Sequence, residues 1–498
     1  MGQILKDHPK ILFYGDNLKV MREYIPDESV DLIYLDPPFK SKRDYNILFK
    51  EPTGEPSKAQ IIAFEDTWHW TDETEWSYRE IMRSAPARVV EMMKAFRNFL
   101  GENDYMAYLV MITVRLLEMH RVLKPSGSIY FHCDPTMSHY VKIVLDTIFY
   151  PKNFRNEIVW CYTSGGVSKR YFGRKHQILF FYTKSERYYF KPLYRPYSDK
   201  TIQRGLTKVK GKYFEKGLRK EGAILQDWWT IQPLLSPTSK ERLGYPTQKP
   251  RALLERILRA SAPPDGTVLD PFCGCGTTIS AAEALNHTEN GYNLSWIGID
   301  ITHLAINLIK MRLKNEFGLE PGKDYAVVGE PVDIAGAKQL AQADRYQFQW
   351  WALSLIGARP WSDRRKKGAD KGIDGILYIQ EPLASGKYKT KRIIVQVKSG
   401  KVGVRDIRDF RGVLEREDDA VMGIFITLEK PTSAMMKEAN AAGYYEMELT
   451  GRSYPRLQIL TIEELLSGIR PKMPEAYIWD YLRDKRSQNN PKPQNTLI

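Results

Sequence analysis

Cysteine is scarce: Cys133, Cys161, Cys273 and Cys275 are the only four in 498 residues. None is spaced as CxxC, which excludes a disulfide framework and fits a reducing compartment. Eight histidines form no HExxH and no Cys/His cluster, so no zinc site is expected. GxxxxGK[ST] is missing, which removes an ATP-driven helicase or translocase from this chain. Long apolar runs are missing too: Tyr105–Val114 stops at Arg115, too short to cross a bilayer. The charged start MGQILKDHPKILFYG lacks a signal-peptide core, and Lys6 stands where a myristoylation signal needs Ser or Thr. The expectation is a cytoplasmic protein with no membrane partner. Internal repeats are absent as well.

Net charge is nearly absent from most of the chain. The formal +14 comes from 74 basic and 60 acidic residues, yet Pro151–Lys220 alone holds 18 basic and 4 acidic residues, which accounts for the whole excess. The same 70 positions carry 15 Phe, Tyr and Trp. Cations interleaved with aromatics suit a surface that neutralises phosphates and stacks bases. A solvated lysine-rich insertion is the plain alternative. The cations expected to contact DNA are Lys169, Arg170, Arg174, Lys175, Lys208, Lys210, Lys212 and Lys216.

Length suggests about three domains, and two large ones would also fit. Residues 1–150 alternate strand and helix: strand Lys10–Tyr14, helix Leu18–Tyr24, strand Val30–Leu35, helix Tyr105–Leu123, a Lys-Pro-Ser-Gly stop and strand Ser128–His132. Such alternation implies a parallel sheet. Residues 151–245 are basic, aromatic and weakly periodic. From 246 to 330 the α/β texture resumes, with helix Ala252–Ala260, strand Thr267–Leu269, helix Thr278–Leu285, strand Trp296–Ile299 and helix His303–Asn315. Residues 318–340 read as a linker or bridging segment. A further α/β region covers 341–470, with helix Arg345–Ile356, strands Ile376–Ile379 and Arg392–Lys398, a helix near Asp406–Leu414 and strand Met422–Thr427. The polar tail, 471–498, is expected to fray.

Two motifs carry a first chemistry. Asp36-Pro37-Pro38-Phe39 follows strand DLIYL, at the carboxyl end where open α/β sheets bind ligands. Its prolines remove amide donors, leaving a carboxylate and a carbonyl facing one point beside an aromatic ring. An aromatic amine is a poor nucleophile because its lone pair is delocalised; two acceptors on its N–H groups favour pyramidal nitrogen and aim the lone pair outward. Phe39 could stack on an extruded base. A turn that merely ends a strand is the alternative. In the second motif, VLDPFCGCGTT, Gly274 and Gly276 let a ligand approach the backbone at a helix start. Strand WIGI then ends in Asp300, placed to reach ribose hydroxyls. The third glycine of GxGxxG is replaced by Ile279, so this is not the dinucleotide fingerprint. Together the pieces describe a pocket for an adenosine with a carboxylate-ended chain, which S-adenosylmethionine is.

The chain here resembles the amino-methylating DNA methyltransferases of the β order. The matches are GDNLKVMREYIPDESVDLIYLDPPF, LLEMHRVLKPSGSIYFHCD, RKHQILFFYTKS, YPTQKPRALLERIL, VLDPFCGCGTT and IGIDI, over about residues 10–315. The resemblance implies an S-adenosylmethionine-dependent, Rossmann-like α/β domain in two halves, 1–150 and 246–330, with the target-recognition region at 151–245. It implies that Asp36 and the carbonyl of Pro37 hold the target amine while Phe39 stacks on the base. Asp270, Phe272, Gly274 and Gly276 would cradle the cofactor, Thr247 and Lys249 would reach its methionine end, and Asp300 would bind its ribose. DPPF rather than SPPY leans toward adenine N6 over cytosine N4. The family often has Glu at the ribose position and an aromatic five residues on; this chain has Asp300 and Ala305. Within the recognition region, Lys175–Phe180 is expected to be a strand near the flipped base, with His176 structural or base-adjacent. Trp228 and Trp229 are expected to pack in the core.

A second chemistry lies at 368–398. Alternation along IIVQVK puts Gln396 and Lys398 on one face, and a paired strand could bring Asp374 opposite them. An acid that binds a divalent metal beside a lysine suits phosphodiester hydrolysis; an ordinary hairpin is the alternative. The wider stretch, FQWWALSLIGARPW, KGIDGILYI, IIVQVKSG, DIRDFRGVL and GIFITLEKPT, resembles the Mrr-type branch of the PD-(D/E)xK nucleases, in which Gln replaces the second acid. That resemblance implies a C-terminal α/β restriction-endonuclease-like domain with Asp374, Gln396 and Lys398 as its site, Asp374 as metal ligand and Mg²⁺ as the metal. The combined expectation is a site-specific DNA methyltransferase of the restriction–modification type, fused to an Mg²⁺-dependent endonuclease domain and acting on double-stranded DNA. A homodimer is an open option. Alternatives are a solitary methyltransferase whose C-terminal domain only binds DNA, N4-cytosine specificity, and a non-catalytic DNA-binding protein.

Overall fold

Six consecutive residues without apolar/polar alternation, VDLIYL, form a strand buried along its whole length, as expected where both faces of a parallel sheet are covered. Its one acid, Asp31, is accommodated because Oδ2 accepts from Lys124 Nζ at 2.7 Å and from the Thr267 amide at 2.9 Å. The computed structural model describes residues 3–38, 45–50, 56–64, 69–162, 169–206, 218–233, 241, 243, 245, 248–287, 291–361, 372–382, 388–417 and 419–474. The chain divides into two units. One comprises Met1–Asp44, Phe64–Ile301 and Leu308–Val328; the other comprises Tyr45–Ala63, Thr302–Asn307 and Gly329–Ile498.

The first unit is built on one sheet of strands β1 (Lys10–Tyr14), β2 (Val30–Leu35), β3 (Leu123–Cys133), β4 (Phe154–Cys161), β5 (His176–Thr183), β6 (Trp228–Trp229), β7 (Thr267–Asp270), β8 (Ser295–Asp300) and β9 (Ala326–Val328). Their spatial order is β6-β4-β5-β3-β2-β7-β8-β1-β9. β5 runs antiparallel to both of its neighbours, and the other pairings are parallel. From β2 the chain winds toward β3, and from β7 toward β8. The carboxyl ends of β2 and β7 therefore flank a topological switch point, the crevice in which such sheets hold ligands. One face is covered by helices that include α1 (Asn17–Tyr24) and, capped by Asn103 Oδ1 on the Tyr105 and Met106 amides, α2 (Asp104–Val122). Its Met106, Leu109, Ile112, Leu116 and Met119 are buried against Ile33, Phe131, Ile178 and Phe180.

Two expectations are corrected. The Lys-Pro-Ser-Gly segment does not separate helix from strand: β3 starts at Leu123. The pairing with β2 slips from Val30↔Leu123 to Leu32↔Ser128, so the extra residues bulge out and Lys124 can reach Asp31. Within 151–183, β4 and β5 extend the same sheet. Residues 318–340 are more than a linker, because Ala326–Val328 pairs with β1. Most other elements extend one to four residues beyond their expected ends.

The second unit carries a sheet of β10 (Arg359–Pro360), β11 (Gly375–Pro382), β12 (Tyr388–Lys398), β13 (Ala420–Thr427) and β14 (Leu457–Thr461), in that order. β10, β11 and β12 pair antiparallel; β12, β13 and β14 pair parallel. Helices α3 (Arg345–Leu355) and α4 (Val404–Arg416) pack on opposite faces, Phe348, Trp351 and Ala352 with Val395 and Ile424, and Ile407 and Phe410 with Ile394 and Phe425. Residues 475–498, most of the tail expected to fray, lie outside the described residues.

Candidate active sites

In the first unit, β2 delivers Asp36 to the switch point. Oδ2 accepts from Lys249 Nζ, while Oδ1 is buried with no hydrogen-bond partner. Burial pushes the Asp36 carboxyl up, and Lys249 opposes that shift. Pro37 and Pro38 supply no N–H that could satisfy Oδ1. Beside it stands a buried chain the sequence did not reveal. The Tyr34 hydroxyl donates to His132 Nδ1 at 2.8 Å, and His132 Nε2–H donates to Gln177 Oε1 at 2.7 Å. Burial and Lys249 hold His132 well below its usual pKa, so it is neutral, and Nδ1 lies 3.9 Å from Asp36 Oδ1 without protonating it. Period-2 alternation on YLD and FHC hinted that these side chains share a face, but nothing local marked them as interacting.

Asp270, 3 % exposed, braces the Gly loop: Oδ1 accepts from the Phe272 amide at 3.1 Å and Oδ2 from the Thr278 hydroxyl at 2.5 Å. The Gly274 amide donates to Asp300 Oδ2 at 3.0 Å. Gly274 and Gly276 have φ of +49° and +72°. A Cβ on Gly276 would stand 2.7 Å from Ile309 Cγ1, and one on Gly274 would stand 3.2 Å from Tyr245 Cε1, so both glycines are required by close packing as well as by conformation. A strut from β1 completes the loop: Asn17 Nδ2 donates to the Pro271 carbonyl at 2.7 Å, and Arg115 donates to Asn17 Oδ1 and Asp16 Oδ2, each at 2.6 Å. The GDN that follows β1 was the signal for this strut. Lys249, expected to reach the methionine end of the cofactor, donates to Asp36 Oδ2. Phe39, Thr247, Lys208, Lys210, Lys212 and Lys216 lie outside the described residues. Trp229 is buried as expected, whereas Trp228 is 54 % exposed.

Burial, with Asp36 and Asp300 nearby, pushes Asp270 up to about 7. Between pH 4 and 7 the folded state therefore holds more proton than the unfolded one at this residue, and stability falls as pH rises through that window. In thermal melts Asp270→Asn should flatten this decline; parallel curves for variant and wild type would contradict the assignment.

Residues 30–311, more than half of the chain, match the DNA methylase family. The chain belongs to that family. The methylase is 32 % identical over 244 residues to the type II methyltransferase M.HpaI of Haemophilus parainfluenzae, covering 49 % of this chain and 71 % of that protein. It is 28 % identical over 313 residues to the type II methyltransferase M.BglII of Bacillus subtilis, 61 % of this chain and 70 % of that protein. It is 25 % identical over 315 residues to DNA adenine methyltransferase YhdJ of Escherichia coli (strain K12), 62 % of this chain and 85 % of that protein. Residues 340–453 match the Mrr_cat restriction endonuclease family, so the methylase carries an Mrr-like nuclease domain. Among the described residues no helix is long and apolar enough to cross a membrane.

In that second domain Asp374 precedes β11, its amide donating to Val395 O at 2.8 Å. Its Oδ2 accepts from the Val397 amide at 2.7 Å and its Oδ1 from Gln349 Nε2 at 3.0 Å. Gln396 is 8 % exposed; a Cβ on Gly372 would come within 3.3 Å of its Nε2. Lys398 follows on the same strand face. The backbone thus brings Asp374 beside the strand that carries Gln396 and Lys398, and its carboxylate is held by the Val397 amide and by Gln349 from α3. Spacing alone could not reveal Gln349, whose partner lies 25 positions away. Among the described residues no three acids, histidines or cysteines cluster to hold a metal. One carboxylate and two neutral amides fit a hard cation that keeps most of its water and takes further oxygens from phosphate.

Proposed function

We propose that this methylase transfers a methyl group from S-adenosylmethionine to the exocyclic amine of a base flipped from double-stranded DNA, with adenine N6 as the target. The observation that carries the reading is Asp36 Oδ1, a buried acceptor left unsatisfied at the switch point, because such an atom is costly unless a ligand donates to it. The amine N–H groups would bind there and at the Pro37 carbonyl, and entry of the base would displace Lys249 from Oδ2 or share that oxygen with it. S-adenosylmethionine supplies an electrophilic methyl on a sulfonium. The carboxylates of Asp36 and Asp300, close enough to act on Asp270, suit that cation, and the positive φ of Gly274 and Gly276 shapes the turn beside them. Neutral His132 is not a strong base, and methyl transfer needs none, since the proton can leave afterward. The DPPF sequence and the naming of YhdJ as an adenine methyltransferase support adenine. The direct test is labelled methyl transfer to DNA, followed by identification of the modified nucleoside.

Residues 151–245 would hold the target-recognition surface. Lys169, Arg170 and Arg174 are exposed. Replacing them with Gln should weaken DNA binding and reduce the slope of log affinity against log salt by about 0.9 per lost phosphate contact, with S-adenosylmethionine affinity unchanged. An equal loss of cofactor binding would instead make the block structural. In the second domain, Asp374, with the Gln396 and Gln349 side chains, would hold Mg²⁺, and Lys398 would orient water or stabilise phosphate charge. DNA cleavage is the activity proposed there.

A further inference from the structure

The segment Lys169–Lys175 reads KRYFGRK, with Lys169, Arg170, Arg174 and Lys175 surrounding Tyr171 and Phe172 and no acid among them. Phe172 is 99 % exposed and Tyr171 is 65 % exposed. The Arg174 guanidinium stands 5.9 Å from the Tyr171 ring centroid, so Tyr171 has a cationic neighbour, while the Phe172 ring lies wholly in water. A fully exposed phenylalanine contributes nothing to the fold, and phosphate-binding cations on both sides indicate what it is exposed toward.

Its place in the sheet is equally specific. The Tyr162 amide donates to the Lys175 carbonyl at 3.0 Å, anchoring the end of the segment to β4. The chain then enters β5, where Gln177 accepts from His132, the residue 3.9 Å from Asp36. Phe172 and Gln177 are five positions apart in the chain, a reach of at most about 17 Å. The exposed ring therefore hangs from the strand end that borders the catalytic aspartate.

We propose that Phe172 is the wedge that enters the duplex where the target base has left it. The inference rests on the base-flipping methyltransferase reading above. Removing a base leaves an apolar gap between stacked neighbours, and an inserted side chain stabilises the open state by restoring stacking. Phe172 would fill that gap, Arg170 and Arg174 would hold the flanking phosphates, and Asp36 would receive the extruded base. Phe172 is thus a positioning residue, acting on the population of flipped DNA and not on the methyl-transfer step.

The test uses the full chain and a duplex carrying a site that wild-type protein has been found to methylate. Phe172→Ala should melt like wild type, bind S-adenosylmethionine equally and lose at least about tenfold in kcat/KM on the paired duplex. Placing an abasic site opposite the target base removes most of the opening cost, and the variant should then come within about threefold of wild type. Phe172→Trp should retain activity on the paired duplex, and 2-aminopurine next to the target should brighten with wild type and not with Phe172→Ala. Wild-type rates for Phe172→Ala on the paired duplex, or a deficit of equal size on both duplexes, would overturn the assignment. If the wild-type protein methylates no DNA, the underlying function is wrong, a result distinct from a failure of the wedge alone.

Discussion

Asp36→Ala should lower methyl transfer to DNA by about 10²–10³-fold, the scale expected when one preorganised polar group is removed from a reacting centre, while S-adenosylmethionine binding stays intact. The cofactor loop does not use Asp36: its bracing runs through Asp270 to Phe272 and Thr278, through Gly274 to Asp300 and through Asn17 to Pro271. What is lost is the acceptor that holds the amine with its lone pair aimed outward. The substitution also leaves Lys249, 11 % exposed, as a cation without its carboxylate, so some loss of stability should accompany the loss of rate. Asp36→Asn separates the two effects, because it keeps an acceptor oxygen and removes only the charge. Unchanged transfer by Asp36→Ala would dissociate the reaction from this site.

Lys398→Ala should abolish Mg²⁺-dependent nicking or cutting of DNA while methyl transfer continues at the wild-type rate. Lys398 belongs to a unit with its own sheet and its own apolar clusters. With a single carboxylate at this centre, cleavage should require more Mg²⁺ than an acid-rich site does, and EDTA should suppress it. Cleavage that persists in the variant would remove Lys398 from the chemistry. If wild-type protein cuts no DNA in any methylation state, the domain serves as a DNA-binding accessory.

Parts of the architecture were legible because period and punctuation agreed. VDLIYL read as a buried strand, VLDPFCGCGTT read as strand, turn and helix, and the alternation of IIVQVK placed Gln396 and Lys398 on one face. The Tyr34–His132–Gln177 chain was not legible, since it joins three strands through contacts that depend on the order β2-β3-β5, which no local pattern encodes. Lys249 shows the same limit. Its neighbourhood was identified from sequence, but its partner, Asp36, lies 213 positions away and only the fold brings the two together. Gln349 reaches Asp374 across 25 positions for the same reason. Of the sheet's extension, β5 was expected as a strand at Lys175–Phe180, whereas β4 was not, and its pairing with β5 depends on contacts that no local pattern encodes.

The central claim is that the unsatisfied Asp36 oxygen is the seat of an adenine amine. Its most direct test is to incubate wild-type protein with unmethylated DNA and S-adenosylmethionine carrying an isotopically labelled methyl group, then digest the DNA to nucleosides for mass spectrometry. Labelled N6-methyladenine, absent when Asp36→Ala replaces the wild type, is the predicted result. Label on cytosine, or DNA that stays unlabelled, would contradict it.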